Sequence, residues 1–386
     1  MLELQKFILA NPNNWEQLLS DSPFYLKIKK KNGLVIFNYN QIKSDFTFPL
    51  VKESRGVILE EKTWKVIRLS FTKFFNYGEK NANEIDWASA TVTEKVDGSI
   101  IGLYFYDGKW RVCTNSTIDA DDAPLIQNSK FQTYKDLFYY AWENSTDLHF
   151  DELNPNYCYT MELVSPQNRV VIQYDQPCLY LLSIRNMNTL KEVTIENNLP
   201  IAKPKIFSLA SLNDCLLAAK ELGLSQEGYV VKDKFEHRIK IKSPEYVAMH
   251  YLKDINKITL SRLIDVIKAN EISEFLTYRP ESKSLIENVQ KQLKNIDNII
   301  EHQQKIIIPF IKKYPIRKDF SLAIIDETNK NNKNDTNKLQ KQYLWLYFMI
   351  YNGQNVTDFV KQMNSKGLIK QFNLKLDEIC QGDNAI

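Results

Sequence analysis

The sequence predicts an α+β fold, with antiparallel sheets and flanking helices over residues 1–250 and an all-helical stretch over 251–386. Three observations carry that expectation. Short runs of β-branched and aromatic residues, separated by turn signals, fill the first region. Beyond about residue 250 the apolar residues recur at helical spacing instead. A hydrophobic share of 44% against 25% charged is enough for a real core in each of two domains.

The elements follow in chain order. FYLKIKKKNGLVIFNYN reads as two strands joined at Asn32-Gly33. ATVTEKVDGSIIGLYFYDGKWRVCT reads as three strands with hairpin turns at Asp97-Gly98 and Asp107-Gly108. FQTYKDLFYYAWENS and SLNDCLLAAKELG read as helices, the second stopped by Gly223. CLYLLSIRN and GYVVKDKFEHRIKIK return to strand. Further on, Leu260, Leu263, Ile264 and Ile267 share one helical face. Leu285, Val289, Leu293, Ile296 and Ile300 share another, on a longer helix expected to end near Pro309. The cluster IKKYPIRKDF (311–320) carries four basic residues and one acidic residue, and reads as a solvated loop. The polar Asn-Lys-rich stretch 326–338 has too little apolar area to order itself and reads as a mobile loop. YLWLYFMIY (343–351) is too short to cross a bilayer and reads as a buried helix, with VTDFVKQM after it.

Bulk properties exclude several functions. A net charge of +3 is wrong for a polybasic binder, although a local basic groove stays open. The five cysteines, Cys113, Cys158, Cys178, Cys215 and Cys380, form no CxxC pair, which argues against a disulfide framework or structural zinc. The four histidines, His149, His237, His250 and His302, share no metal-ligand spacing. The opening MLELQKFILANPNNW lacks a signal-peptide pattern. A soluble, cytoplasmic chain with no membrane partner is expected.

The strongest chemical signal is Lys95-Val96-Asp97-Gly98-Ser99, between two apolar strands. A lysine that attacks phosphorus must be neutral and held still, and burial or nearby cations lower its ordinary pKa of about 10.4. The plain reading is a surface lysine before a hairpin turn. Other segments join it in order: Arg55 in ESRG, Lys73 in KFFN, Glu162 in MELVSPQNRVV, Glu227 in EGYVV, and Lys240 and Lys242 in RIKIK. Singly, each has an ordinary reading. The glutamates can be solvated strand residues, Lys240 and Lys242 an exposed sheet edge, Arg55 a partner of Glu53, and Phe74 and Phe75 core.

Together with IFNYN, EKVDGS, LLSIRN and KIKS, these segments resemble the T-even phage RNA ligase 1 family, over roughly residues 35–245. That family belongs to the covalent nucleotidyltransferases. The resemblance implies an N-terminal adenylyltransferase domain (1–250) and a helical C-terminal domain (251–386) that helps select RNA. It implies an ATP-dependent RNA ligase, with Lys95 as the nucleophile that becomes AMP-lysine and Lys240 and Lys242 as further catalytic residues. Tyr39, Arg55, Lys73, Glu162, Glu227, Lys240 and Lys242 would bind ATP. Glu162 and Glu227 would hold Mg²⁺, or Mn²⁺, directly or through water. The implied partners are single-stranded or nicked-loop RNA, transfer RNA among them, and a separate end-healing kinase-phosphatase; the implied source is a virus. The segment 311–320 then has a second reading as a contact for single-stranded RNA.

One departure stands out. Asn115 in VCTNSTI occupies a position where the family carries lysine, and Lys109 or Arg111 is the nearby candidate to replace that charge. DNA ligases and GTP-using capping enzymes share the core motifs, but they follow them with a β-barrel pattern that residues 251–386 lack. An inactive RNA-binding module is the remaining alternative.

Overall fold

The computed structural model describes residues 1–386 except 42, 126–129, 196–197, 224, 252–257, 270–271, 273–274, 277–278, 331–337 and 377–386. The chain divides into two compact units, Met1–His250 and Tyr251–Ile386.

The first unit opens with helices α1 (Glu3–Ala10) and α2 (Trp15–Ser20). Strands β1 (Lys27–Lys31) and β2 (Leu34–Asn38) then form a hairpin. Asn32 and Gly33 turn it at φ 51° and 76°, left-handed values that a two-residue hairpin needs. After α3 (Pro49–Glu53), β3 (Arg55–Glu60) and β4 (Val66–Arg68) complete a sheet in the order β1-β2-β3-β4. Period-2 alternation splits its central strands between two layers. Val35, Phe37, Val57 and Leu59 pack under the helices, while Leu34, Ile36 and Ile58 pack on the next sheet.

Two five-stranded sheets enclose the rest of this unit. The strands in chain order are β5 (Phe75–Asn76), β6 (Thr91–Glu94), β7 (Ser99–Tyr106), β8 (Lys109–Thr114), β9 (Tyr157–Val164), β10 (Cys178–Asn186), β11 (Glu192–Val193), β12 (Ile206–Phe207), β13 (Gly228–Lys232) and β14 (Arg238–Lys242). One sheet runs β11-β10-β9-β7-β8 and the other β12-β6-β13-β14-β5. All pairings are antiparallel except β5 with β14. Helix α4 (Tyr134–Ser145), capped by Thr133, covers the first of these sheets. Helix α5 (Leu212–Lys220) covers the second.

The hairpin expected at Asp97-Gly98 is absent. Strands β6 and β7 belong to different sheets, and residues 95–98 carry the chain from one to the other. The reason is local crowding. A Cβ on Gly98 would lie 2.4 Å from the Leu163 carbonyl oxygen, so the glycine serves close approach to β9 rather than a turn. Asp107 and Gly108, at φ 53° and 71°, do make a hairpin turn.

Among its described residues the second unit is helical, with no strand. It follows α6 (Pro244–Tyr251) with α7 (Leu260–Ala269), α8 (Lys283–Lys313), α9 (Arg317–Lys330), α10 (Leu344–Tyr351), α11 (Val356–Gln362) and α12 (Ser365–Phe372). Helix α8 does not end at Pro309 but passes through it to Lys313. The lost N–H bond is offset by packing on both sides of the proline, with Ile307 buried before it and Phe310 against Phe320 after it. The cluster 311–320 is therefore a helix end and a helix start joined by a short corner, not a loop. Of the stretch 326–338, residues 326–330 are helical because Ile324 and Thr328 bury one face of α9; 331–337 lie outside the described residues. Leu346 and Tyr347 of α10 are buried. No helix among the described residues is long and apolar enough to cross a membrane.

Candidate active site

A cavity of about 360 Å³ lies within the first unit. Lys95, at the end of β6, lines it, with Glu94, Val96, Glu162 from β9, Arg55 from β3, and Arg238 and Lys240 from β14. The backbone of Lys95 donates to the Gly228 carbonyl at 2.9 Å, which extends the β6–β13 ladder past the strand end and holds the residue still. Its Nζ donates to Glu227 Oε2 at 2.6 Å. Lys242 Nζ lies 3.9 Å from Glu227 Oε1, so one carboxylate faces two lysines. Gly228 follows at φ 142°, and a Cβ there would lie 2.2 Å from the Ile241 carbonyl oxygen. That contact presses β13 onto β14 and brings Glu227 beside the lysines.

Strand β14 is not an exposed edge. It lies between β13 and β5, and its alternation puts Arg238, Lys240 and Lys242 on one face. Lys240 is held well below the usual lysine pKa, by burial first and then by Lys73, Lys95, Lys242 and Arg55. Lys73 is lowered to about 8, by burial first and then by Arg55. Its Nζ sits over the rings of Tyr39, Phe46 and Phe75, and donates to Gln41 at 3.4 Å. Tyr39 is raised by the same burial, opposed by Arg55.

Arg55 is no partner of Glu53, whose carboxylate instead accepts from the Glu3 and Leu4 backbone. The Arg55 guanidinium stacks on Phe71 at 4.8 Å and Phe74 at 5.4 Å. Its Nε is buried without a hydrogen-bond partner, which leaves a donor for a ligand. Phe74 lines the cavity, while Phe75 is core.

Glu162 is 8% exposed and makes no hydrogen bond or ion pair with a described residue. Burial pushes its carboxyl up to about 8, with Lys95 opposing and Glu227 adding to the rise. A buried carboxylate without a partner next to a second carboxylate suits a hard divalent cation. No group of three or more His, Cys, Asp or Glu able to hold a metal ion occurs among the described residues, so any cation here would complete its shell with water or substrate oxygens.

Asn115 does not line the cavity; its Oδ1 accepts from Arg68 at 3.2 Å. Lys109 and Arg111 do not replace a charge there. They lie toward the hairpin end of β8, where Arg111 faces Asp107.

Several site residues escaped the sequence reading. Arg238 is the first member of the alternating RIKIK set, so extending the period by one step reaches it. It lines the cavity over Phe71 at 5.0 Å, and Glu192 holds it at 2.6 Å. Asp97 is buried and fully engaged. Its Oδ2 accepts from the Val171 and Ile172 backbone and its Oδ1 from the Tyr246 hydroxyl at 2.7 Å, which anchors the segment carrying Lys95. No local signal marks Tyr246 or Arg68. The cysteines Cys113, Cys158 and Cys215 are buried, Cys178 is half-buried, and all four are free; Cys380 lies outside the described residues.

A family profile described as RNA ligase, of the T4 RNA ligase 1 type, matches residues 53–246. A putative bifunctional polynucleotide kinase/RNA ligase of Autographa californica nuclear polyhedrosis virus is 31% identical over 284 residues, which is 68% of this chain and 40% of that protein. This chain thus spans less than half the length of that relative. An RNA ligase of Rhodothermus phage RM378 is 26% identical over 377 residues, covering 78% of this chain and 84% of that one. A solved archaeal ATP-dependent RNA ligase aligns at TM-score 0.47 and 15% identity, over 78% of this chain and 83% of that one. The profile covers half of the chain, including Arg55, Lys95, Glu162, Glu227, Lys240 and Lys242, and the chain belongs to the T4 RNA ligase 1-like family of RNA ligases.

Proposed function

We propose that this protein is an ATP-dependent RNA ligase that joins 5′-phosphate and 3′-hydroxyl RNA ends through AMP-lysine on Lys95. The observation that carries the reading is the Lys95 amine in the cavity, 2.6 Å from Glu227, with Arg55 and Lys240 lining the same cavity, Lys242 3.9 Å from the same carboxylate and Lys73 beside Lys240.

The chemistry runs in three phosphoryl transfers. Lys95 Nζ attacks the α-phosphorus of ATP, an N–P bond forms, and the bond to pyrophosphate breaks. The amine must give up its protons for that attack, and Glu227 Oε2, already the acceptor of its hydrogen bond, is placed to take one. Arg55, Lys73, Lys240 and Lys242 meet charge on the triphosphate and on the leaving pyrophosphate. An oxygen of the RNA 5′-phosphate then attacks the AMP phosphorus and releases Lys95. Finally the RNA 3′-hydroxyl attacks the activated 5′-phosphate, a phosphodiester forms, and AMP leaves. Glu162 and Glu227 are the residues that would hold Mg²⁺ or Mn²⁺, which when bound neutralises developing phosphate charge. Tyr39 orients Lys73 and so acts at the outer phosphates.

We assign residues 1–250 to adenylyl transfer and 251–386 to RNA selection. The substrate class is single-stranded or nicked-loop RNA, broken transfer RNA included. The name of the baculovirus relative couples a kinase to a ligase, which suits an RNA end prepared by a separate kinase activity.

The test is incubation with α-labelled ATP or GTP and a divalent cation, followed by denaturing electrophoresis. The expected result is a labelled band from ATP, lost in Lys95→Ala, and circles from 5′-phosphorylated single-stranded RNA in preference to DNA. Labelling by GTP would move the protein to the capping class, and preferential sealing of nicked DNA to the DNA ligases. No adduct under any condition would leave an inactive RNA-binding module.

A further inference from the structure

We propose that Arg68 is a positioning residue for ATP binding, acting through Arg55. The inference rests on the ligase reading of the same cavity. Arg68, the last residue of β4, is 0% exposed, and no acidic residue among those described pairs with it. A buried guanidinium without a counter-ion is costly, so stability alone gives no reason for it. One of its nitrogens is aimed at the backbone of β3, another at a side chain, and Nε is buried without a hydrogen-bond partner. Nη1 donates to the Arg55 carbonyl at 3.0 Å and the Gly56 carbonyl at 2.5 Å, and Nη2 donates to Asn115 Oδ1 at 3.2 Å.

Two glycines make the slot. A Cβ on Gly56 would lie 2.7 Å from Arg68 Nη1, and one on Gly102 would lie 2.7 Å from Arg68 Nε. Gly56 also holds φ 70°, which L-residues rarely adopt. The guanidinium thus ties β3 to Asn115, just past β8, while lying against Gly102 of β7, and fixes the point where the Arg55 side chain leaves the strand. Arg55 reaches the cavity across Phe71 and Phe74 without an ion pair among the described residues to hold its head. Its aim therefore depends on its backbone, and its backbone depends on Arg68.

The test is a double-mutant cycle on AMP-adduct formation, with rate followed against ATP concentration in wild type, Arg68→Lys, Arg55→Ala and the double variant. Arg68→Lys keeps the charge but loses the forked donors. The expected result is about a tenfold rise in the ATP concentration for half-maximal labelling in Arg68→Lys, as for loss of one charge-assisted bond. The double variant should be no worse than Arg55→Ala, because Arg68 has nothing left to position. Gly102→Ala, which displaces the guanidinium from its other side, runs through the same cycle and carries the test if Arg68→Lys does not fold. Wild-type ATP dependence in the single variants, or effects that multiply with Arg55→Ala, would overturn the proposal. Absence of labelling in the wild type would instead count against the ligase reading itself.

Discussion

The two units bury different chemistry. In the first, Arg68, Asp97, Glu162, Arg185, Glu227, Asp233 and Arg238 are all buried, and Lys240 is half-buried. In the second, the buried polar residues among those described are Ser282, Gln303, Thr328, Gln340 and Ser365, and none carries a charge. Charges among the described residues of the second unit stay out of its core, as in Lys305–Glu301 and Lys330–Asp326. A fold built only for stability looks like the second unit, because removing an ion from water costs more than its pairing returns. The first unit accepts that cost and leaves part of it uncompensated, at Glu162 and at the Arg55 Nε. Burial of ionisable groups without partners is the physical mark that separates a site from a scaffold.

Substitutions can break or sharpen this contrast. The largest effect is expected for Lys240→Ala and Glu227→Gln in the first unit. Each should cut the rate of AMP-adduct formation by about 100-fold or more, with the fold retained by circular dichroism. Next comes Glu162→Gln in protein stripped of divalent cations. The folded carboxyl keeps its proton to about pH 8, whereas an unfolded one loses it near 4.5. The wild type therefore loses stability as pH rises through that window, and the glutamine variant does not. Melting curves should show the variant ahead by about 1–3 kcal/mol at pH 9 and level with wild type near pH 4; an equal offset at both would contradict the buried, unpaired carboxylate. In the second unit, Tyr347→Phe removes a buried hydroxyl that donates to Gln303 and accepts from the Gln340 N–H. It should cost about 1–3 kcal/mol in urea unfolding and leave adduct formation unchanged. Smallest is Thr133→Ala, which removes the cap on α4, where the Thr133 hydroxyl accepts from the Asp136 N–H. About 1 kcal/mol of stability should go, again with the adduct rate intact.

Much of the fold was legible because its signals are local. The Asn32-Gly33 and Asp107-Gly108 turns need left-handed backbone that few residues tolerate, and both are where the residue types put them. Of the expected helical faces, Leu263 and Ile264 on α7 and Val289, Ile296 and Ile300 on α8 are buried, while Leu260, Ile267, Leu285 and Leu293 are half-buried. The misreadings have a common cause. Asp97-Gly98 has the composition of a turn, yet its glycine answers to β9, more than 60 residues away in sequence. Pro309 breaks helices locally, yet Phe310 and Phe320 carry the helix onward. In each case a contact distant in sequence overruled a nearby preference.

The order of residue types along the chain already contained the family, the lysine-centred motif and the alternating cations of β14, since periodicity and motif spacing are properties of neighbours. Which groups meet was decided by the way three sheets close around one cavity. Only there does Glu227 reach the Lys95 amine, Glu162 lose its water, and Arg68 find the carbonyls of Arg55 and Gly56. Those outcomes depend on desolvation and on distances of a few ångström between strands far apart in the chain, and no window of sequence holds both partners.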